Sequence, residues 1–125
     1  MKLQAHKNYK LASNGSTERL YRVKTIDKEI HDIPLDEIFL IQSSLKQGLL
    51  ELHREQGSLK FRGMITRIAT GIPEFFHSHI SFVVNIKHIE DIDVVNQNLI
   101  LTNGRVVPVA KQKIKRLSHL MDVAD

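Results

Sequence analysis

Apolar and polar residues alternate with period two through most of the chain, and helical spacing shows in two places only. Strand side chains point to opposite faces in turn, so each alternating run predicts a strand. Arg19 to Ile26 sets Tyr21, Val23 and Thr25 against Leu20, Arg22 and Lys24, in β-branched and aromatic residues that suit extended backbone. A turn at Asp27-Lys28 predicts a partner strand over Glu29 to Ile33, which Pro34 interrupts. The apolar run Ile38 to Ile41 predicts a buried strand ended by Gln42-Ser43-Ser44. Lys46-Gln47-Gly48 then turns the chain into Leu49 to His53, and Glu55-Gln56-Gly57 turns it again into Ser58 to Arg62.

Ile65, Ile68 and Ala69 at i, i+3, i+4 predict a short helix, closed by Gly71 and Pro73. The densest stretch follows, Pro73 to Asp93. Read as one strand from His79 to Ile86, it places Ile80, Phe82, Val84 and Ile86 on a core face and His79, Ser81, Val83 and Asn85 on the other; Asn85 reads as a buried amide serving the backbone. Ile89 to Val95 and Asn98 to Thr102 form a pair across Asn96-Gln97, and the hairpin dipeptide Asn103-Gly104 returns the chain as Arg105 to Val109. Lys111 to Asp122 predicts a helix with Ile114, Leu117 and Met121 on one stripe. The expected fold is mainly β, with antiparallel strands in small packed sheets, one short helix and a C-terminal helix, over residues 19–122. Residues 1–18 are polar, carry the turn-forming run Ser13-Asn14-Gly15-Ser16, and read as a flexible linker.

Composition narrows the class. A chain of 125 residues, 42% hydrophobic and 26% charged, can bury one core without disulfide or metal support. It has no cysteine, which removes thiolate zinc sites and disulfides and suits a reducing cytoplasm. No segment approaches the roughly 20 apolar residues of a membrane span, so the reading is a soluble, cytoplasmic protein. The net charge is +4, and from Val94 to Met121 there is no acidic residue while Arg105, Lys111, Lys113, Lys115 and Arg116 are all cationic. One-signed clustering of this kind is the footprint of a polyanion-binding surface or of a merely solvated basic face.

The residues themselves then carry a resemblance. F-F-H-S-H-I-S-F-V-V-N-I followed by K-H-I-E-D-I-D, with D-I-P-L-D-E-I-F-L-I-Q-S-S and L-K-F-R-G before it and P-V-A-K-Q-K-I-K-R-L after it, resembles the LytTR DNA-binding domain, the output domain of many bacterial response regulators, those of peptide quorum sensing included. The likeness runs from about Arg19 to Leu117. It implies that loops, not a recognition helix, enter the major groove of double-stranded promoter DNA at direct-repeat sites. Carried over residue by residue, it implicates Lys46, Gln47 and Gly48 after the Ser-Ser turn, Arg62, then His79, Ile80 and Ser81, then Lys111, Gln112 and Lys113. Three positions depart from the pattern: Gly48 stands where quorum-sensing members often carry a base-reading His, Gln112 where some carry Arg, and Ile80 where a polar residue is common. The resemblance further implies a receiver domain ahead of this unit in a longer protein, or a stand-alone regulator; a monomer in isolation with two copies on DNA; and contact with RNA polymerase.

Two other classes compete. A small β-rich RNA or single-strand binder would display aromatic stacking platforms, whereas Phe75, Phe76 and Phe82 lie in apolar runs and Trp is absent. A His-based metal protein would draw on His77 and His79, placed on one strand face, with His88 and Glu90 nearby. No catalytic motif is visible, and no cofactor is implied; the chain does not read as an enzyme.

Overall fold

The computed structural model describes residues 19–124, with side chains to Asp122; the linker expected over 1–18 lies outside the described residues. Strands β1 (Leu20–Lys24) and β2 (Ile30–Pro34) form an antiparallel ribbon. A single 3-10 turn, Leu35–Glu37, leads into β3 (Ile38–Ser43), followed by β4 (Leu49–Arg54) and β5 (Gly57–Arg62). After α1 (Ile65–Ile68) come β6 (Phe75–His79), β7 (Phe82–Asn85) and a second 3-10 turn, Ile86–His88. Strands β8 (Ile89–Asp93), β9 (Asn98–Leu101) and β10 (Val106–Pro108) precede α2 (Lys111–Ala124). The sheets are β1-β2, β10-β9-β8, and a five-stranded sheet in the order β5-β4-β3-β7-β6.

The five-stranded sheet is the middle layer. Ile41 and Val83 belong to an apolar cluster with Tyr21, Val23 and Ile33 of the ribbon, and Ile65 and Ile68 of α1 pack onto it. Their chain neighbours Leu40 and Val84 belong to a second cluster with Leu99, Leu101 and Val107 of the three-stranded sheet and Leu117 of α2. Adjacent strand residues face opposite ways, so the two clusters lie on opposite faces. Each fully buried Leu, Ile or Val contributes roughly 1.5–3 kcal/mol.

This layering corrects the expected single strand over 79–86. The segment is a hairpin, β6 to β7, turning at Ile80-Ser81, and Ile80 is exposed instead of core. Both faces of β7 are covered, Val83 at 1% and Val84 at 0% exposure, so period-two alternation could not locate its core side. The turn holds neither Gly nor Asn, and β7 ends at Asn85, so Ile86 begins the next 3-10 turn instead of continuing the strand. One strand end also moves: β8 stops at Asp93, whose carboxylate accepts from Asn96 N at 3.1 Å and Asn96 Nδ2 at 2.8 Å, leaving Val94 and Val95 in an exposed loop. That local capping competes with the ladder.

Asn85 serves the backbone, as its sequence context suggests. Fully buried, it donates through Nδ2 to Leu35 O (3.0 Å) and Ile38 O (2.9 Å) and accepts from Lys87 N (3.0 Å). It thereby ties both 3-10 turns to one end of the sheet.

Candidate nucleic-acid interface

Sheet register gathers the implicated residues at the end opposite Asn85. β3 leaves the sheet at Ser43, whose N–H donates to Ser81 O at 3.0 Å, and the chain loops through Lys46, Gln47 and Gly48. Leu49, the first residue of β4, pairs with Arg62, the last of β5, and Gly63 N donates to Gly48 O at 3.0 Å. On the far side, the β6–β7 turn presents His79, Ile80 and Ser81. Gly48 has φ 77°, a left-handed backbone that suits Gly.

The start of α2 is fastened to the same end. Ser78 is the extra residue of a β-bulge, since His77 pairs with Val83 and His79 with Phe82. Fully buried, Ser78 donates through Oγ to Pro108 O at 3.1 Å, and its backbone carbonyl accepts from Ala110 N at 2.7 Å. Lys113 Nζ donates to His77 O at 2.7 Å. Its ammonium is therefore engaged in docking the helix, while Lys111 and Gln112 stand exposed.

The bulge also turns the two imidazoles apart. His77 and His79 sit opposite Val83 and Phe82, neighbours on one strand, so they occupy opposite faces of the sheet and not the shared face expected from their spacing. His79 lies edge-on to Phe82, ring centroids 6.0 Å apart, and no group of three or more His, Asp or Glu among the described residues could hold a metal ion.

Charge is distributed along the strand direction. The stretches 38–50, 56–73, 75–89 and 94–121 contain no Asp or Glu, and they supply every loop at this end. The opposite end carries Asp36, Glu37 and Glu55, which with Phe39, Gln56 and His88 line a cavity of about 390 Å³. Between the ends, Arg105 reaches from the β9–β10 turn to His53 Nδ1 (3.3 Å) and Gln42 Oε1 (3.4 Å), and His53 Nε2 lies 3.0 Å from Gln42 Oε1. Burial first, and Arg105 second, hold the His53 pKa below its ordinary 6.5.

Sequence reasoning missed this staple, because Gln42, His53 and Arg105 are brought together by packing of two sheets. It also passed over Leu45, whose side chain is wholly in solvent at the tip of the β3–β4 loop. Apolarity alone would have assigned it to the core.

Residues 28–122 match the family of LytTr DNA-binding domains. The chain belongs to that family. It is 27% identical over 113 residues to accessory gene regulator protein A of Staphylococcus epidermidis, covering 90% of this chain and 47% of that protein. The same-named protein of Staphylococcus aureus strain N315 is 25% identical over the same share. The chain thus spans about half the length of the curated relatives it matches. Among solved structures it is similar to the LytTr DNA-binding domain of a Bacillus cereus protein described as a methyl-accepting/DNA response regulator, with a TM-score of 0.64, 21% identity, and coverage of 82% of this chain and 95% of that one. The mainly β LytTr fold expected from the resemblance is the observed one. No helix among the described residues is long and apolar enough to cross a membrane.

Proposed function

We propose that residues 19–122 form the output domain of a transcription regulator of response-regulator type, which grips double-stranded promoter DNA with the loop end of its five-stranded sheet. The observation that carries this reading is the convergence, at one acid-free end, of three separate loops and a helix start bearing Lys46, Gln47, Arg62, Ile80, Lys111 and Gln112. Five strands about 4.8 Å apart make that end about 19 Å wide, against a major groove about 12 Å across. Central loops can therefore enter the groove while Arg62 and Lys111 reach phosphates on its banks. The first N–H groups of α2 favour phosphate as well. Gln47 and Gln112 carry the amides that can pair with an adenine edge.

Single-strand binding is disfavoured by burial of the aromatics: Tyr21, Phe39, Phe61, Phe75 and Phe76 are all under a tenth exposed, which leaves no stacking platform among them. The chemistry is recognition, not catalysis. The domain is a monomer alone and occupies two direct-repeat half-sites in the cytoplasm. Joining two such domains through receivers would make the second binding event intramolecular, raising avidity by about 10²–10⁴.

The test is selection of binding sites from random duplex DNA, followed by salt titration on a selected site. Three or four phosphate contacts give a slope of log K on log salt near −3, roughly a 60-fold loss for a fourfold rise in salt. Lys111→Ala should weaken all sequences alike, while Gln47→Ala or Gln112→Ala should mainly erase discrimination between sites. A flat salt response, or no enriched sequence, would overturn the reading.

A further inference from the structure

Leu45 belongs to neither apolar cluster of the domain. At 106% relative exposure it is the most exposed large apolar side chain among the described residues, and Ile80 at 75% is third after Val95. The two flank one hydrogen bond: Ser43 N donates to Ser81 O, Leu45 lies two residues after Ser43, and Ile80 immediately precedes Ser81. Both therefore stand on neighbouring tips of the loop end. Between them and the groove there is no acidic side chain to exclude DNA, since the 38–50 and 75–89 stretches hold none. Leu45 sits in a turn where Ser44 Oγ accepts from Lys46 N at 3.3 Å, so the turn is held by its polar neighbours and takes nothing from the leucine. Folding does not account for an apolar side chain there.

We propose that Leu45 is a base-reading residue, which together with Ile80 packs against the 5-methyl groups of thymines in the major groove. This rests on the DNA-binding reading above and adds to it a residue and a chemical target. The thymine methyl is the apolar group that base edges offer in that groove. Lys46 and Gln47 can reward phosphates and polar edges, but not a methyl. Two apolar tips beside one another select thymines at neighbouring positions through their methyl groups, a dependence that a hydrogen bond to a base edge does not produce. Covering one methyl is worth about fourfold in affinity.

The experiment uses a selected site in which each thymine is replaced singly by deoxyuridine, which keeps the base pair and its hydrogen-bonding edges and removes only the methyl. Wild-type protein should weaken about fourfold at one or two positions. In Leu45→Ala the penalty at one position should vanish while the one belonging to Ile80 remains, and Ile80→Ala should show the converse. Unchanged melting temperatures of both variants establish that folding is intact. Uridine-insensitive binding, a Leu45→Ala variant that keeps every penalty of the wild type, a selected site without thymine, or a Leu45→Ala loss equal on all sequences would each overturn the inference while leaving DNA binding standing. Failure of the wild-type chain to bind any duplex would instead overturn the underlying reading, and this inference with it.

Discussion

Replacing Asn85 by Ala should destabilise the domain strongly without touching recognition. The side chain is wholly buried and makes three hydrogen bonds, two as donor to Leu35 O and Ile38 O and one as acceptor from Lys87 N. Each such bond is worth about 1 kcal/mol net, and an alanine leaves three backbone groups unsatisfied, so the loss is about 3 kcal/mol. Domains of this size have only about 5–15 kcal/mol in hand. In urea, with a slope near 1.3 kcal/mol/M, the midpoint should fall by about 2 M, read by far-ultraviolet circular dichroism. Asn85→Asp should be at least as damaging, because it sets a carboxylate oxygen against two carbonyl oxygens. Asn85 closes β7 at the end of the sheet away from the loops, so DNA affinity of the folded variant should match wild type. A midpoint shift below about 0.5 M, or lost affinity at unchanged stability, would refute the assignment of this residue to backbone support.

Stability should fall as the pH drops through 6.5. His53 has its folded pKa lowered from that value by burial and by Arg105, so the unfolded chain takes up a proton that the folded one resists; protonation would also turn Nδ1 from an acceptor into a donor facing the guanidinium. His53→Gln should remove that part of the pH dependence in denaturant midpoints, and an unchanged pH profile would refute it. Gly48→Ala should cost about 1 kcal/mol, since its φ of 77° disfavours a Cβ although nothing lies within 4 Å of one; Gly48→Asn should recover part of this, as thermal melts would show.

Period-two alternation was enough to place most strands, because the ribbon and outer strands each bury one face and leave the other to solvent: Tyr21, Val23 and Thr25 are buried while Arg22 and Lys24 are exposed. Turn chemistry did the same for Gly48, Gly57 and Asn103-Gly104, where backbone demands are local. The composition of the loop end was legible too, as runs without Asp or Glu are a property of the chain itself. Packing decided the rest. β6 and β7 are covered on both faces, so hydrophobicity carries no period there, and the reversal at Ile80-Ser81 was invisible until β3 and β7 were seen paired. The bulge at Ser78 sent His77 and His79 to opposite faces, which no spacing rule anticipates. Register across five strands, not sequence proximity, brought residues 46, 62, 80 and 111 to one end, and Lys113 was drawn onto the His77 carbonyl by the docking of a helix thirty-six residues away. Leu45 shows the same division: sequence supplies an apolar side chain, and only the folded chain determines that nothing in the domain covers it.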